Sequence, residues 1–199
     1  MDDVDLALIL ALDCSASVTL ESFGLMASGC AAGLRDEAVT SGLLGGPHGA
    51  SLCAVLIWSG AQDLVLDWTR LDSPAAIAAF AEDVANTPRS IIGGATAIGE
   101  ALAVCEKIFA ALPALASRRV IDVVGDGRSN QGIIPAIPRD RLIADGVTIN
   151  GLCVLHEEPD LLENYSDEVI GGQGAFALWC ASYAEFAVAM RQKLVREIA

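Results

Sequence analysis

Asp5-Leu-Ala-Leu-Ile-Leu-Ala-Leu-Asp13-Cys-Ser15-Ala-Ser17 is the stretch of sequence that decides how the fold is interpreted. An apolar run that ends in Asp and Ser is typical of a buried parallel strand whose carboxyl end opens into a loop. Asp13, Ser15 and Ser17 occupy alternate positions, so they can direct three oxygens into one space beyond the strand. Oxygen ligands without imidazole or thiolate suit a hard divalent cation.

The rest of the chain alternates apolar strands with amphipathic helices. Strands are predicted over 5–12, 51–58, 63–68, 120–124, 147–155 and 175–179, and helices over 20–37 (ending near Thr40), 73–85, 96–112, 135–144 and 182–198. Alternation of this kind predicts an α/β fold with a doubly wound, mostly parallel sheet and helices on both faces. The short connection at 59–62 predicts a hairpin, and therefore one antiparallel edge strand.

Length and composition predict one domain over 1–199, since 199 residues with 53% hydrophobic side chains can form a packed core. The net charge of −14 and the absence of a Lys/Arg cluster argue against nucleic acid and anionic membrane surfaces as partners. No apolar run approaches the ~20 residues of a membrane-spanning helix. The six cysteines form no C-x-x-C pair, so we expect free, buried thiols.

Two further oxygen-bearing positions follow the first loop along the chain. Thr96 comes after Gly93-Gly94 and precedes a helix, and Asp126 lies between Gly125 and Gly127 at the end of a buried strand. Each has an ordinary structural explanation, because Thr is a common helix cap and Asp is a common turn residue. The same holds for the Asp and Ser residues of the first loop, so the metal hypothesis depends on all of them occurring together.

Together, Asp-x-Ser-x-Ser, a Thr after a Gly pair and an Asp between glycines resemble the metal-ion-dependent adhesion site of von Willebrand factor A domains. Further stretches resemble a bacterial family of von Willebrand factor A-like proteins that is catalogued only as a domain of unknown function. They begin at Asp5, Ile121, Thr148, Val169 and Lys193 and together extend over nearly the whole chain. The resemblance implies a von Willebrand factor A fold but assigns no biochemical role.

The resemblance also implies roles for individual residues. Ser15 and Ser17 would bind the cation through their hydroxyls, Thr96 would bind it directly or through water, and Asp13 and Asp126 would hold coordinated water and balance charge. Mg²⁺ is the expected ion, with Mn²⁺ as a replacement and Ca²⁺ as less suited. A vacant coordination position would accept an Asp or Glu carboxylate from a protein partner. This predicts a metal-dependent protein-interaction module rather than an enzyme.

The alternative function is a Mg²⁺-dependent hydrolase or phosphatase that uses the same strand-end site. Against it, Ser15 stands where aspartyl phosphatases usually have a second Asp, and the only lysines are Lys107 and Lys193. Nucleotide binding of the Rossmann type is not supported, since no G-x-G-x-x-G follows the first strand. The segment after 155, with Glu157, Glu158, Asp160 and Glu163, is either an acidic rim at the site or a solvated surface.

The remaining sequence predictions concern the histidines and the location of the protein. His48 and His156 accompany no nucleophile motif and are interpreted as surface loop residues. Met1-Asp2-Asp3 does not resemble a signal peptide, which predicts a cytoplasmic protein for the chain as given, or a periplasmic or secreted one if a leader preceded Met1.

Overall fold

A single six-stranded sheet forms the centre of the computed structural model, which describes residues 2–198. The strands lie in the order β3-β2-β1-β4-β5-β6, and only β3 runs antiparallel to its neighbour. Their bounds are β1 Val4–Asp13, β2 Ser51–Trp58, β3 Gln62–Leu71, β4 Ala116–Gly125, β5 Val147–Val154 and β6 Ala177–Cys180. The predicted doubly wound sheet with one antiparallel edge strand is confirmed.

Helices cover both faces of the sheet. Their bounds within residues 2–198 are α1 Leu20–Leu34, α2 Glu37–Leu43, α3 Pro74–Ala85, α4 Ile98–Ala110, α5 Ala136–Ala144, α6 Leu161–Asn164 and α7 Phe186–Ile198. A π-helical turn, Tyr165–Val169, follows α6, and a 3₁₀ turn, Tyr183–Glu185, precedes α7. One core layer lies under α1, α2, α3 and α7, and the other under α4, α5 and α6. None of the described helices is long and apolar enough to cross a membrane.

The alternation of side chains along β1 explains how both faces are filled. Leu6, Leu8, Leu10 and Leu12 point into the α1–α7 layer, whereas Ala7, Ile9 and Ala11 point into the α4 layer. All of these side chains are buried, as expected for a central parallel strand that is covered on both faces.

The first helix differs from its prediction. A continuous helix over 20–37 was expected, but α1 ends at Leu34 and α2 begins at Glu37. The carboxylate of Asp36 accepts a hydrogen bond from the main-chain N–H of Ala38 at 2.9 Å, which caps the start of α2. The prediction of one helix was therefore wrong, because Asp36 starts a new helix inside the predicted one.

Strand order places a potential ligand site between β1 and β4. From β1 the chain proceeds outward to β2 and β3, whereas from β4 it proceeds to β5 and β6 on the opposite side. The crevice beyond the carboxyl ends of β1 and β4 is thus the topological switch point, where open α/β sheets bind ligands. β1 ends at Asp13 and β4 ends one residue before Asp126.

A buried charged cluster connects α7 to the middle of the sheet. Lys193 of α7 is fully buried and forms ion pairs with Asp122 of β4 and with Glu197, the latter at 2.8 Å. The side-chain amide of Asn150 in β5 donates to Glu197 at 2.7 Å. Because burial of a charge without partners is costly, these contacts compensate the charged groups that α7 buries against the sheet.

The cysteines lie within the packed core. All six are free and buried: Cys14, Cys30, Cys53, Cys105, Cys153 and Cys180. This agrees with the expectation from their spacing.

Candidate metal centre

The loop after β1 arranges the first three predicted ligands. Oδ1 of Asp13 accepts a hydrogen bond from the main-chain N–H of Ser15 at 2.7 Å, which turns the chain sharply at the end of the strand. The hydroxyls of Ser15 and Ser17 lie 3.2 Å apart. Ser17 then donates to Oδ1 of Asp126 at 2.6 Å, so the loops after β1 and β4 meet through side-chain oxygens.

Thr96 reaches the same place from the loop before α4. Its main-chain N–H donates to the side-chain oxygen of Asn130 at 2.9 Å, and the N–H of Asn130 donates to the carbonyl of Thr96 at 2.8 Å. A methyl group built on Gly127 would lie 3.8 Å from Oγ1 of Thr96, so Thr96 adjoins the turn that carries Asp126. The structure thus brings all five predicted residues together.

The helix-cap explanation for Thr96 does not fit the structure. The helix predicted over 96–112 is α4, which begins at Ile98 with Ala97 at its N-cap and has no side-chain capping bond. The hydroxyl of Thr96 is therefore not used as a cap and remains at the site.

The two carboxylates of the site are buried without a strongly basic partner. Asp13 and Asp126 are at most 1% exposed, and within residues 2–198 neither has a Lys or Arg nitrogen within 4.0 Å. Oδ2 of Asp13 has no hydrogen-bond partner among the described residues. Burial, and to a lesser extent the nearby charge of Asp126, raises the pKa of Asp13 from 3.8 to about 7. A cation at the site would favour the ionised form of Asp13.

Tyr183 and His156 complete the surroundings of Asp126, and the sequence did not predict either of them. The hydroxyl of Tyr183, at the start of the turn before α7, donates to Oδ2 of Asp126 at 3.0 Å. Nε2 of His156, just after β5, lies 3.9 Å from the same oxygen. His156 is an exposed loop residue, as predicted, but its proximity to Asp126 was not expected and arises because the carboxyl ends of β4 and β5 are adjacent. His48 is exposed, as expected.

The loop before α4 supports the first loop from the side of β2. Arg89 donates through Nη2 to the carbonyls of Cys14 at 3.3 Å and Ser15 at 3.2 Å, and the N–H of Ala16 donates to the carbonyl of Gly94 at 3.0 Å. The thiol of Cys14 donates to the carbonyl of Ile91 at 3.2 Å and belongs to the α1–α7 core layer. Cys14 thus points away from the predicted ligands, because it alternates with Asp13 and Ser15 along the chain.

The acidic segment borders the site on the side of β5. Arg128 forms ion pairs with Glu158, at 3.1 Å, and with Asp160. The main-chain N–H of Arg128 also donates to Glu158 at 3.2 Å. Part of the segment is therefore attached to the turn after Asp126, while Glu157 is exposed.

The donor set fits a hard divalent cation whose ligands are mainly hydroxyls. Within residues 2–198, no three His, Cys, Asp or Glu side chains form a group able to hold a metal ion by themselves. Three hydroxyls, from Ser15, Ser17 and Thr96, lie instead beside two buried carboxylates. Neutral oxygen ligands with nearby negative charge are suited to Mg²⁺ or Mn²⁺ and poorly suited to a soft metal.

Comparison with protein-family models gives a match over residues 3–199 to a family described as "Protein of unknown function (DUF1194)". The chain belongs to this family. The family expected from sequence stretches along the chain is therefore confirmed. The comparison with curated proteins gave no match.

Comparison with solved structures confirms the von Willebrand factor A-like fold. Proximal thread matrix protein 1 from the mussel byssus aligns with a TM-score of 0.73 and 19% identity over 96% of this chain and 47% of that one. A von Willebrand factor type A protein from Catenulispora acidiphila aligns with a TM-score of 0.67 and 19% identity over 98% of this chain and 43% of that one. This chain thus spans about half the length of these two proteins.

Two more structures share this fold. The von Willebrand domain of the type V pili tip protein Mfa5 from Porphyromonas gingivalis aligns with a TM-score of 0.63 and 12% identity over 98% of this chain and 97% of that one. Another structure of the mussel protein is described as having zinc in its MIDAS motif, the metal-ion-dependent adhesion site. It aligns with a TM-score of 0.68 and 20% identity over 97% of this chain and 48% of that one. At these identities the likeness concerns the fold.

Proposed function

We propose that this chain is a divalent-cation-dependent protein-interaction module, and that residues 1–199 act as one domain. Ser15, Ser17 and Thr96 would bind Mg²⁺, and Asp13 and Asp126 would hold its coordinated water and balance its charge. An Asp or Glu side chain of a partner protein would complete the coordination. The observation that carries this proposal is the pair of buried carboxylates, which adjoin three hydroxyls but no Lys or Arg nitrogen within 4.0 Å among residues 2–198.

The comparisons support the proposal without extending to its details. The fold is that of von Willebrand factor A domains, and one structure with this fold is described as holding zinc at the corresponding motif. We favour Mg²⁺ for this chain because none of the five proposed residues is His or Cys.

A binding role fits the proposed ligands better than a hydrolytic one. Mostly neutral ligands leave a bound cation electrophilic, so an additional carboxylate is attracted to a free coordination position. Lys193 cannot assist a phosphoryl reaction at this site, because it is buried between Asp122 and Glu197. Arg89 contacts the first loop, but its Nη2 donates to the main-chain carbonyls of that loop.

Titration calorimetry of the metal-free protein tests the cation site. We expect saturable binding of Mg²⁺ and Mn²⁺ by the wild type, weaker binding of Ca²⁺, and no binding by the double variant Ser15→Ala/Ser17→Ala. The matched control is Ser41→Ala/Ser166→Ala, which removes two hydroxyls from exposed helical positions. Unfolding of the Ser15/Ser17 variant would mean that these hydroxyls are structural caps, and cation binding equal to that of the wild type would refute the assignment.

Carboxylate coordination is tested with Mn²⁺ and ¹³C-labelled acetate. If acetate coordinates the bound ion, the wild type loaded with less than one equivalent of Mn²⁺ will relax the acetate ¹³C signals more strongly than the Ser15/Ser17 variant does. Equal relaxation by both proteins would refute a carboxylate-accepting site. Release of phosphate from a generic ester that is lost in Asp13→Ala would support the hydrolase alternative instead.

A further inference from the structure

The buried charged cluster between α7 and the sheet is not explained by the candidate metal centre. Its members Lys193, Asp122 and Glu197 have side chains that are 0%, 0% and 1% exposed. The cluster lies in the middle of β4, whereas Asp126 lies beyond the end of that strand. A buried ion pair is often no more stabilising than apolar side chains of similar volume. Stability alone therefore does not account for these three residue types at this place.

The register of the sheet and the helical repeat bring the groups of the cluster together. Asp122 of β4 is paired with Leu10 of β1 and with Asn150 of β5, so these side chains share the face that α7 covers. Lys193 and Glu197 are four residues apart and therefore lie on one face of α7. Nζ of Lys193 is 2.8 Å from Oε2 of Glu197 and in contact with Oδ1 of Asp122. An amine thus lies between two carboxyl groups in a place that excludes water.

The contact between Lys193 and Asp122 lacks the geometry of a hydrogen bond. Nζ pairs with Oδ1, yet neither carboxyl oxygen of Asp122 has a hydrogen-bond partner among residues 2–198. Glu197 differs, because its Oε2 accepts from Lys193 at 2.8 Å and from Asn150 at 2.7 Å. Its Oε1 has no partner in the described part of the chain and is available to accept a proton.

We propose that Lys193 and Asp122 react to form an intramolecular amide bond between Nζ and Cγ. Lys193 first passes one proton to Glu197, and the neutral amine then attacks the carboxyl carbon of protonated Asp122. The C–N bond forms and the C–O bond breaks, and the hydroxyl of Asp122 leaves as water with a second proton from the amine. The step requires no oxidant, reductant or other co-reactant, and it does not involve the proposed cation.

The surroundings supply the protonation states of the two reacting groups. Burial, and then the charge of Glu197, raises the pKa of Asp122, which favours the neutral carboxyl group. Burial lowers the pKa of Lys193, but the charges of its two acidic neighbours more than offset this, so the amine carries a charge at rest. A proton acceptor in contact with Nζ is therefore needed, and Glu197 is that acceptor.

The change at Glu197 favours the product. Burial raises the pKa of Glu197, but the charge of Lys193 and hydrogen bonds more than offset this in the unreacted cluster. Once Lys193 has lost its charge, burial favours the protonated form of Glu197. The reaction thus replaces buried charges with neutral groups, and the fixed position of the amine beside the carboxyl group removes the entropy cost of bringing them together.

Mass spectrometry of the full chain distinguishes this bond from a permanent ion pair. If the bond forms, the intact mass will be lower than that of the sequence by one water. After denaturation, trypsin will release residues 120–128 joined to residues 192–196, because an amide at Lys193 blocks cleavage there. An undiminished mass, with separate peptides ending at Arg128 and at Lys193, would overturn the proposal.

Two lysine variants show which residue the water loss depends on. Lys193→Arg keeps a buried positive charge but has no amine to acylate, so it should show neither the water loss nor the joined peptide. The matched control Lys107→Arg removes the other lysine of the chain, which is exposed, and should retain both. The Asp-Gly sequences at 126–127 and 145–146 can also lose water as cyclic imides. Water loss that persists in Lys193→Arg would identify that reaction and overturn the proposal.

A glutamine at position 197 tests the proton acceptor. Glu197→Gln can still accept a hydrogen bond from Lys193 but cannot take its proton, so we expect the joined fraction to fall by about tenfold or more. Glu21→Gln, at an exposed position of α1, is the control and should resemble the wild type. A joined fraction equal to that of the wild type in Glu197→Gln would overturn the role of Glu197. The wild-type peptides decide whether the bond forms even where a variant fails to fold.

Discussion

Two buried acidic clusters, one around Asp122 in β4 and one around Asp126 just after it, differ in how their charge is balanced. At Asp122, in the middle of the strand, Lys193 provides an internal cation for Asp122 and Glu197. At Asp126, beyond the end of the strand, the neighbours are Ser17, Tyr183, His156 and the turn that contains Asp13.

The pKa values follow this difference. Burial raises the pKa of Glu197, but the charge of Lys193 and hydrogen bonds more than offset it, so the pKa is below its usual value. Burial, and then the charge of Glu197, raises the pKa of Asp122. Asp13 has no lysine near it, and burial raises its pKa to about 7. The middle of β4 thus has a positive charge beside its carboxylates, and the end of β4 has none. A site for an external cation requires this absence of an internal one.

Removal of the internal cation is expected to have the largest effect. Lys193→Met leaves Asp122 and Glu197 buried with no positive charge beside them, so we expect a loss of about 3 to 5 kcal/mol in the free energy of unfolding. Urea denaturation followed by circular dichroism measures it. Arg191→Gln is the control: Arg191 lies on the same helix as Lys193 but is exposed, and its ion pair with Asp36 at the start of α2 should contribute far less to stability.

The pairing predicts a partial rescue. Lys193→Met combined with Glu197→Gln removes one acidic group together with the lysine, so it should be more stable than Lys193→Met alone. If the single variant unfolds at the same urea concentration as Arg191→Gln, the buried ion pairs do not stabilise α7 and the comparison fails.

The pH dependence of cation binding is the next largest effect. Because the pKa of Asp13 is raised from 3.8 to about 7, its contribution to the stability of the metal-free protein is full below pH 3.8 and is lost as the pH rises to about 7. A bound cation favours the ionised form, so Mg²⁺ binding should release a proton below pH 7. We expect the Mg²⁺ affinity to rise about tenfold per pH unit from pH 5.5 to 6.5 and to level off above pH 7.

Calorimetry in two buffers with different heats of ionisation measures this proton release. In Asp13→Asn we expect weaker binding and no proton release from this position. An unchanged proton count in Asp13→Asn would show that a group other than Asp13 releases the proton.

The smallest predicted effect concerns the hydroxyl that contacts Asp126. Tyr183→Phe removes a buried hydrogen bond of 3.0 Å to a carboxylate, so stability should fall by about 1 kcal/mol. Tyr165→Phe is the matched control: Tyr165 is also buried, but its hydroxyl has no hydrogen-bond partner among residues 2–198, so its loss should cost little. Thermal denaturation compares the two, and equal losses would mean that the bond to Asp126 has no special role.

Much of this fold could be predicted from local sequence patterns. Apolar runs such as Leu6–Leu12 specify strands that are buried on both faces, and this predicted a mostly parallel sheet. The short 59–62 connection specifies a hairpin, and this predicted the antiparallel edge strand. Asp13, Ser15, Ser17, Thr96 and Asp126 carry a spacing that can be read without a structure. The structure brings them together because the loops after β1 and β4 and before α4 share one edge.

Contacts that depend on the relative position of distant elements could not be predicted. Tyr183 and His156 have no spacing relationship to Asp126, and they meet it only because the segments that follow β5 and β6 reach the end of β4. Lys193 reads as one more polar residue of an amphipathic helix until its partner Asp122 is known. The break between α1 and α2 was missed because Asp36 caps a helix inside a continuous helical pattern.

The six buried thiols have a practical consequence. Cys30, Cys53 and Cys105 are fully buried, and burial raises their pKa values, so a thiol reagent cannot modify them in the folded protein. These residues lie on α1, β2 and α4, on both faces of the sheet, and become accessible only when the packed layers open. The rate of alkylation, followed by intact-mass spectrometry, therefore reports the rate of global opening without an added label. The decrease in this rate on ligand binding shows how strongly a ligand slows opening.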